Sequence, residues 1–268
     1  MLSEDELSID APLVADKISQ FISDQIDASG LKGAVVAVSG GIDSAVTLAL
    51  TVRAIGSGRV RAVTMPERDI TPPGDMEDVM RLTETLDVTC DVVEITPMIH
   101  VTCSTLPFYD ASDLVSSGNV KARLRMIIAY HYANSLRSMV IGSSNKTEWL
   151  VGYFTKYGDG GVDLMPIAGL YKTQVRQLAR HLGIRRSIIE KTPTAGLWPG
   201  QSDEDELGIK YEVLDVILHA WERGMDAENI SRTSGVDRIG VERVLKRIKE
   251  NEHKRRLPLI LRLSSIRR

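Results

Sequence analysis

Two periodicities alternate along the first two-thirds of the chain. Leu13, Val14, Ile18, Phe21, Ile22 and Ile26 recur at helical spacing, with Asp10 placed to cap, Pro12 in the first turn and Gly30 at the stop. GAVVAVS (33–39) follows as a short β-branched run without polar alternation, the pattern of a strand buried on both faces. The same logic predicts helices over 43–55, 72–86, 117–137 and 171–182, and strands over 59–65, 91–95 and 138–142. Thr71 is the expected cap of the helix over 72–86, with Pro72 at its first position, and Gly183 ends the helix over 171–182. Strands alternating with helices predict an α/β fold: a parallel sheet with helices on both faces. Beyond residue 200 the strand pattern stops, and helices are expected near 205–222, 226–233 and 236–253. The chain therefore reads as one domain over 1–268, an α/β core of about 10–183 with a helical C-terminal part of about 200–256.

Composition narrows the class. With 43% apolar and 26% charged residues in 268, the chain can bury a large core, and disorder, collagen and a disulfide scaffold are excluded. Cys90 and Cys103 stand in no metal-ligand spacing, which disfavours a zinc site and favours a reducing, cytoplasmic setting. No apolar run approaches the ~18 residues of a membrane span, and no signal-peptide pattern opens the chain. A net charge of −3 argues against a general nucleic-acid binder. That total hides an asymmetry: residues 1–30 hold seven acids and one base, residues 241–268 ten bases and three acids. The basic end is either a solvated helix face or an element that meets an anionic ligand.

The first strand runs directly into SGGIDSAV (39–46). Gly40 and Gly41 allow close backbone approach, and the start of the next helix offers free N–H groups, the geometry that binds phosphate. Ser39 and Ser44 add hydroxyl donors, and Asp43 beside a polyphosphate suggests an intervening Mg²⁺. The string is neither GxxxxGK[ST] nor GxGxxG, so P-loop and Rossmann dinucleotide folds are disfavoured. Past the strand at 138–142 lie Glu148, able to share that Mg²⁺ with Asp43, then the glycine-rich YFTKYGDGG (153–161) and Lys172. Ligands of open parallel sheets gather beyond the C-terminal strand ends, so both loops face one predicted crevice.

SGGIDS resembles the pyrophosphate-binding loop of the ATP pyrophosphatase superfamily, whose reactions release AMP. With VKARLRM (120–126), Thr147-Glu148, GYFTKYGDGG (152–161), PTAGLWPGQSDEDELGIKY (193–211) and EHKRR (252–256) in order, the chain resembles the ammonia-dependent NAD synthetases over nearly its whole length. The resemblance implies a Rossmann-like, ATP pyrophosphatase-type fold and a C–N ligase that converts deamido-NAD⁺, ATP and ammonia to NAD⁺, AMP and pyrophosphate. It implies ATP contacts from Ala37, Val38, Ser39, Gly40, Gly41, Ile42, Asp43, Ser44, Ser143, Lys172 and Thr194. It implies Mg²⁺ on Asp43 and Glu148, and deamido-NAD⁺ contacts from Arg123, Lys156, Asp163, His253 and Lys254. Arg255 and Arg256 are left to solvent or a neighbouring subunit.

The family's homodimer, with the dinucleotide near the interface, would account for the long helix over 117–137. Many relatives carry Thr where Ser143 stands, and bacterial relatives often carry an acid where Gly196 stands, so the role of that acid does not transfer. LWPGQSDEDE is expected to form a lid. No residue stands out as an obligatory base, Asp163 being a candidate. The alternatives are another AMP-forming amidotransferase domain, a tRNA sulfur-transfer enzyme, or an adenine-nucleotide sensor. A tRNA modifier would carry paired cysteines and a basic surface, neither of which is evident. A glutamine-using version would need a further domain with a nucleophilic cysteine, so ammonia is the expected nitrogen donor.

Overall fold

The computed structural model describes residues 4–261; Arg262, Arg267 and Arg268 of the basic end lie outside the described residues. Four parallel strands, β1 (Gly33–Ala37), β2 (Val60–Thr64), β3 (Thr89–Val92) and β4 (Ser138–Ile141), stand in the order β3-β2-β1-β4. Among them run α1 (Ala11–Ser29), α2 (Ile42–Ile55), α3 (Pro73–Thr85), α4 (Thr96–Thr105), α5 (Leu114–Leu136), α6 (Lys146–Val151) and α7 (Lys172–His181). The remainder is helical: α8 (Arg186–Ile189), α9 (Asp203–Leu207), α10 (Tyr211–Glu222), α11 (Ala227–Ser234) and α12 (Arg238–Glu250).

Side chains alternate along a strand, so each strand of the sheet feeds two cores. Ala34 and Val36 of β1 face the layer of α1, α2 and α7, where Ile22, Ile26, Leu48 and Leu178 are buried. Val35 faces the opposite layer with Val63, Val140 and, from α5, Ile128, Ala129 and Ala133. The chain builds β2 and β3 on one side of β1, then crosses to β4 on the other. That reversal opens a crevice beyond the C-terminal ends of β1 and β4.

The caps follow the sequence in several places. The Asp10 carboxylate accepts from the Leu13 N–H at 3.1 Å, and Gly30 ends α1 at φ 68°. The cap expected at Thr71 is displaced. Its hydroxyl accepts from the Glu67 N–H at 2.9 Å instead, and Pro72 takes the cap position before α3. The third strand begins two residues earlier than expected and ends three earlier, at 89–92, where it pairs with β2 alone. Helix α4 was not predicted. The expected helix over 205–222 is two helices, α9 and α10, parted by Gly208 at φ 69°. The last helix stops at Glu250 and a 3-10 turn covers Glu252–Arg255.

The C-terminal helices have a core of their own, with Leu214, Ile217, Leu218, Ile230 and Val241 buried. Helix α10 packs on α6 and α7, so this second core braces the elements that follow β4. Leu7 is buried in it, and its carbonyl accepts from the amides of Gln174 and Gln177 on α7, each at 3.2 Å. Full burial of such a side chain contributes about 1.5–3 kcal/mol.

Candidate active site

The loop after β1 is closed by its own serines. The Ser44 hydroxyl donates to the Gly41 carbonyl at 3.0 Å and accepts from the Ser39 N–H at 3.2 Å. Gly41 caps α2 without a side-chain bond, which leaves the first N–H groups of the helix to a ligand. The corresponding turn after β4 is tied to it by one buried side chain. Asn145 accepts from the Glu148 N–H at 3.0 Å, capping α6, and donates to Asp43 Oδ1 at 3.0 Å.

Asp43 and Glu148 converge on Lys172. The Lys172 Nζ donates to Asp43 Oδ2 at 2.6 Å and Glu148 Oε1 at 3.1 Å, with the lysine side chain only 3% exposed. Burial disfavours the ammonium, but the Asp43 and Glu148 carboxylates outweigh it and hold the Lys172 pKa above its ordinary value. Burial pushes the Glu148 carboxyl up to about 7; Lys172 opposes the shift, while Asp43 and Asp203 add to it. Asp203, from α9, accepts from the hydroxyls of Tyr211 (3.0 Å) and Tyr153 (3.1 Å). Two carboxylates therefore hold one ammonium, and the charge of a third, Asp203, acts on it from further off.

Behind this centre sits a carboxylate with no exposure at all. Asp215 accepts from the Thr147 hydroxyl at 2.5 Å and the Thr173 N–H at 2.8 Å, while Thr147 Oγ1 accepts from the Lys172 N–H at 2.9 Å. It thus fixes the neighbours of both Glu148 and Lys172. Burial pushes the Asp215 carboxyl up to about 6.

A cavity of about 510 Å³ joins these parts. Of the residues that the resemblance implied, Ala37, Val38, Ser39, Gly41, Ile42, Asp43, Ser44, Ser143, Glu148, Lys172, Thr194 and Lys254 border it. Gly40, Arg123, Lys156, Asp163 and His253 do not. Asp163 is occupied elsewhere, accepting from Tyr130 Oη at 3.0 Å and the Val140 N–H at 2.8 Å. The other three side chains gather on the surface: Arg123 donates to the Lys156 carbonyl at 3.4 Å, and Lys156 to the His253 carbonyl at 2.6 Å.

Lys254 donates to the carbonyls of Gly152 (2.8 Å) and Phe154 (3.1 Å), which holds the basic turn against the end of α6. Arg255, expected in solvent or at a neighbour, instead donates to the carbonyls of Leu150 (2.6 Å) and Ile248 (2.8 Å) and is structural. Arg256 pairs with Glu252 on the surface. The expected lid lies against α5: Lys121 donates to the Leu197 carbonyl at 2.7 Å, and a Cβ at Gly118 would meet the Leu197 and Trp198 side chains at 3.1–3.2 Å.

Sequence reasoning missed Asn145, Asp203, Tyr211 and Asp215. Only Asn145 carried a local signal, the N-x-x-E spacing of a helix cap before Glu148.

Comparison with known proteins supplies the family. The profile of the NAD synthase family matches residues 14–258. The chain belongs to the NAD synthase family. The NH(3)-dependent NAD(+) synthetase of Methanosarcina acetivorans is 46% identical over 243 residues, 91% of this chain and 95% of that protein. An NMN synthetase structure from Francisella tularensis superposes with a TM-score of 0.83 at 34% identity, covering 95% of this chain and 99% of that one. The NH3-dependent NAD synthetase of Campylobacter jejuni gives 0.80 at 31%, covering 95% and 100%. The parallel sheet with helices on both faces is thus the NAD synthase fold.

Proposed function

We propose that the protein is an ammonia-dependent NAD synthetase, a ligase that adenylates the nicotinate carboxylate of deamido-NAD⁺ with ATP and passes it to ammonia, releasing AMP and pyrophosphate. The observation that carries the reading is the convergence of a phosphate loop, Asp43, Glu148 and Lys172 on one cavity within a chain of this family. The loop N–H groups and the Ser39 and Ser44 hydroxyls bind the phosphates that depart as pyrophosphate. Lys172 spends two of its three donors on carboxylates and keeps one for a phosphate oxygen. There it offsets the charge that repels an attacking carboxylate. Ser143 and Thr194 add hydroxyls to the ATP side of the cavity.

The residues fit a Mg²⁺ ion. Two hard carboxylates meet at one point, and Asp203 behind them leaves a negative excess that a divalent cation offsets. Asp43 and Glu148 would hold it; when bound, it neutralises phosphate oxygens.

Arg123, Lys156, His253 and Lys254 take the distal part of the dinucleotide in this reading. Three of them lie outside the cavity on the outer surface, which favours a ligand longer than a mononucleotide. Helix α5 presents Leu114, Val115, Ile127 and Leu136 exposed on the same chain segment as Arg123. An exposed apolar face of this kind supports a homodimer that covers it and completes the dinucleotide site. Asp163, engaged by Tyr130 and β4, serves that site by shaping it. The free thiols of Cys90 and Cys103, together with the need for ATP, support a cytoplasmic setting.

Purified protein with deamido-NAD⁺, ATP, Mg²⁺ and ammonium is expected to form NAD⁺ and AMP in equal amounts. Formation of ADP, or no NAD⁺ across pH, would sink the reading. Faster amidation of nicotinate mononucleotide than of deamido-NAD⁺ would move it to the activity named for the Francisella tularensis relative.

A further inference from the structure

The loop over 39–44 contains no basic residue, yet one reaches it from a distant segment. The Lys191 Nζ donates to the Gly40 carbonyl at 2.9 Å, Asp75 Oδ1 at 2.7 Å and Asp78 Oδ2 at 2.8 Å. Asp78 also accepts from the Ser187 hydroxyl at 3.0 Å. Three bonds exhaust the donors of an ammonium. Lys191 borders the cavity but has nothing left for a ligand, so direct phosphate contact is not what this arrangement offers.

What it fixes is a peptide unit. Gly40 has φ +84°, and a Cβ there would stand 2.8 Å from the Asp75 carbonyl oxygen, so the loop presses on the first turn of α3. Within 37–44, Gly40 is the residue that does not border the cavity. A trans peptide is planar, and its C=O and N–H point in opposite directions. Holding the Gly40 carbonyl toward Lys191 turns the Gly41 N–H the other way, where it donates to Ser39 Oγ at 3.3 Å. A flip of this unit, which glycine's conformational freedom permits, would aim a carbonyl oxygen at the phosphates.

We propose that Lys191 is a positioning residue for the ATP site, locking the Gly40–Gly41 peptide so that the loop meets pyrophosphate with donors alone. This rests on residues 39–44 being the phosphate cradle. A lysine that merely paired with Asp75 and Asp78 to seat α3 would affect stability without a selective effect on phosphate binding.

Calorimetry of inorganic pyrophosphate binding to the full chain in Mg²⁺ buffer separates the two. Lys191→Met is expected to weaken pyrophosphate by about tenfold or more, as loss of a charged hydrogen-bond donor does. It should raise the KM for ATP while leaving that for deamido-NAD⁺ within about twofold. The D75N/D78N double variant keeps the lysine–carbonyl bond and should bind pyrophosphate within about threefold of the parent. If K191M fails to fold, K191M/D75N/D78N lacks the unpaired carboxylates and carries the same expectation.

Parent-like pyrophosphate affinity in a folded clamp-less variant overturns the proposal. So does an equal loss in D75N/D78N. A parent protein that binds neither pyrophosphate nor ATP overturns the cradle itself, and the clamp with it.

Discussion

The inner trio of Asp43, Glu148 and Lys172 and the outer trio of Arg123, Lys156 and His253 are both assembled from distant segments, but different forces hold them. The inner trio is bonded charge to opposite charge, with the lysine almost wholly buried. The outer side chains of Arg123 and Lys156 donate to backbone carbonyls, which fix position without cancelling charge. A buried pair of opposite charges is self-sufficient, and breaking it leaves an uncompensated ion. A surface group of cations seated on carbonyls keeps its field for an anionic ligand. One chain can complete the first, whereas the second faces outward, with Arg123 and His253 exposed.

That contrast can be broken at either end. Lys172→Met should be the most severe change. AMP formation should fall by about 10²–10³-fold, and thermal denaturation should show a lowered Tm because Asp43 and Glu148 lose their counter-ion. Near-normal AMP formation would show that the inner trio is structural.

Next, Lys156→Ala should raise the KM for deamido-NAD⁺ by about tenfold and leave the KM for ATP and the Tm alone. A selective rise in the ATP value would move Lys156 from the outer to the inner group. Ile127, 57% exposed on α5, tests the partner. Ile127→Glu should halve the mass in light scattering and weaken deamido-NAD⁺ several-fold, by about 1 kcal/mol. A monomeric parent would remove the partner from the outer site.

The last test bears on stability rather than on turnover and concerns Asp215, which aligns the inner trio from behind. Burial raises its carboxyl to about 6 from an ordinary 3.8, so the folded protein retains a proton that the unfolded chain releases. Its stabilising contribution is complete below pH 3.8 and is lost as pH rises to about 6, at most about 2–3 kcal/mol. Asp215→Asn cannot titrate, so its Tm should lose less than the parent's over that window. Parallel Tm curves would show that Asp215 does not titrate there.

Legibility in the sequence divides along similar lines. The loop over 39–44 was readable because its parts are consecutive: a β-branched strand, two glycines, a capping turn and a helix within 33–55. The order of strands and helices in the α/β core was likewise carried by local periodicity. Asn145 and Asp215 were not legible as site residues, since their roles arise from partners 102 and 68 residues away. Helix α4 escaped because TPMIHVTCST is rich in β-branched residues and only Cys103 is buried. The edge strand β3 was misplaced for a related reason. With β2 as its one neighbour, Thr89 and Val92 lie exposed, and the apolar pattern that marks a central strand is diluted. Arg255 shows the limit of charge as a clue, because a basic run says nothing about which of its members is turned inward onto carbonyls.

The docking of Leu7 bears on how the molecule is made. The acceptor that Leu7 offers belongs to side chains on α7, 167 and 170 residues further along. At about 5–20 residues per second on the ribosome, roughly ten to thirty seconds pass between the emergence of that turn and the synthesis of its partners. Throughout that interval α1 can settle on the growing sheet, but the turn before it waits with its leucine in water. The Glu4–Leu7 turn is thus among the last pieces to be fastened, and the helix bearing Lys172 is secured only once that turn docks on it.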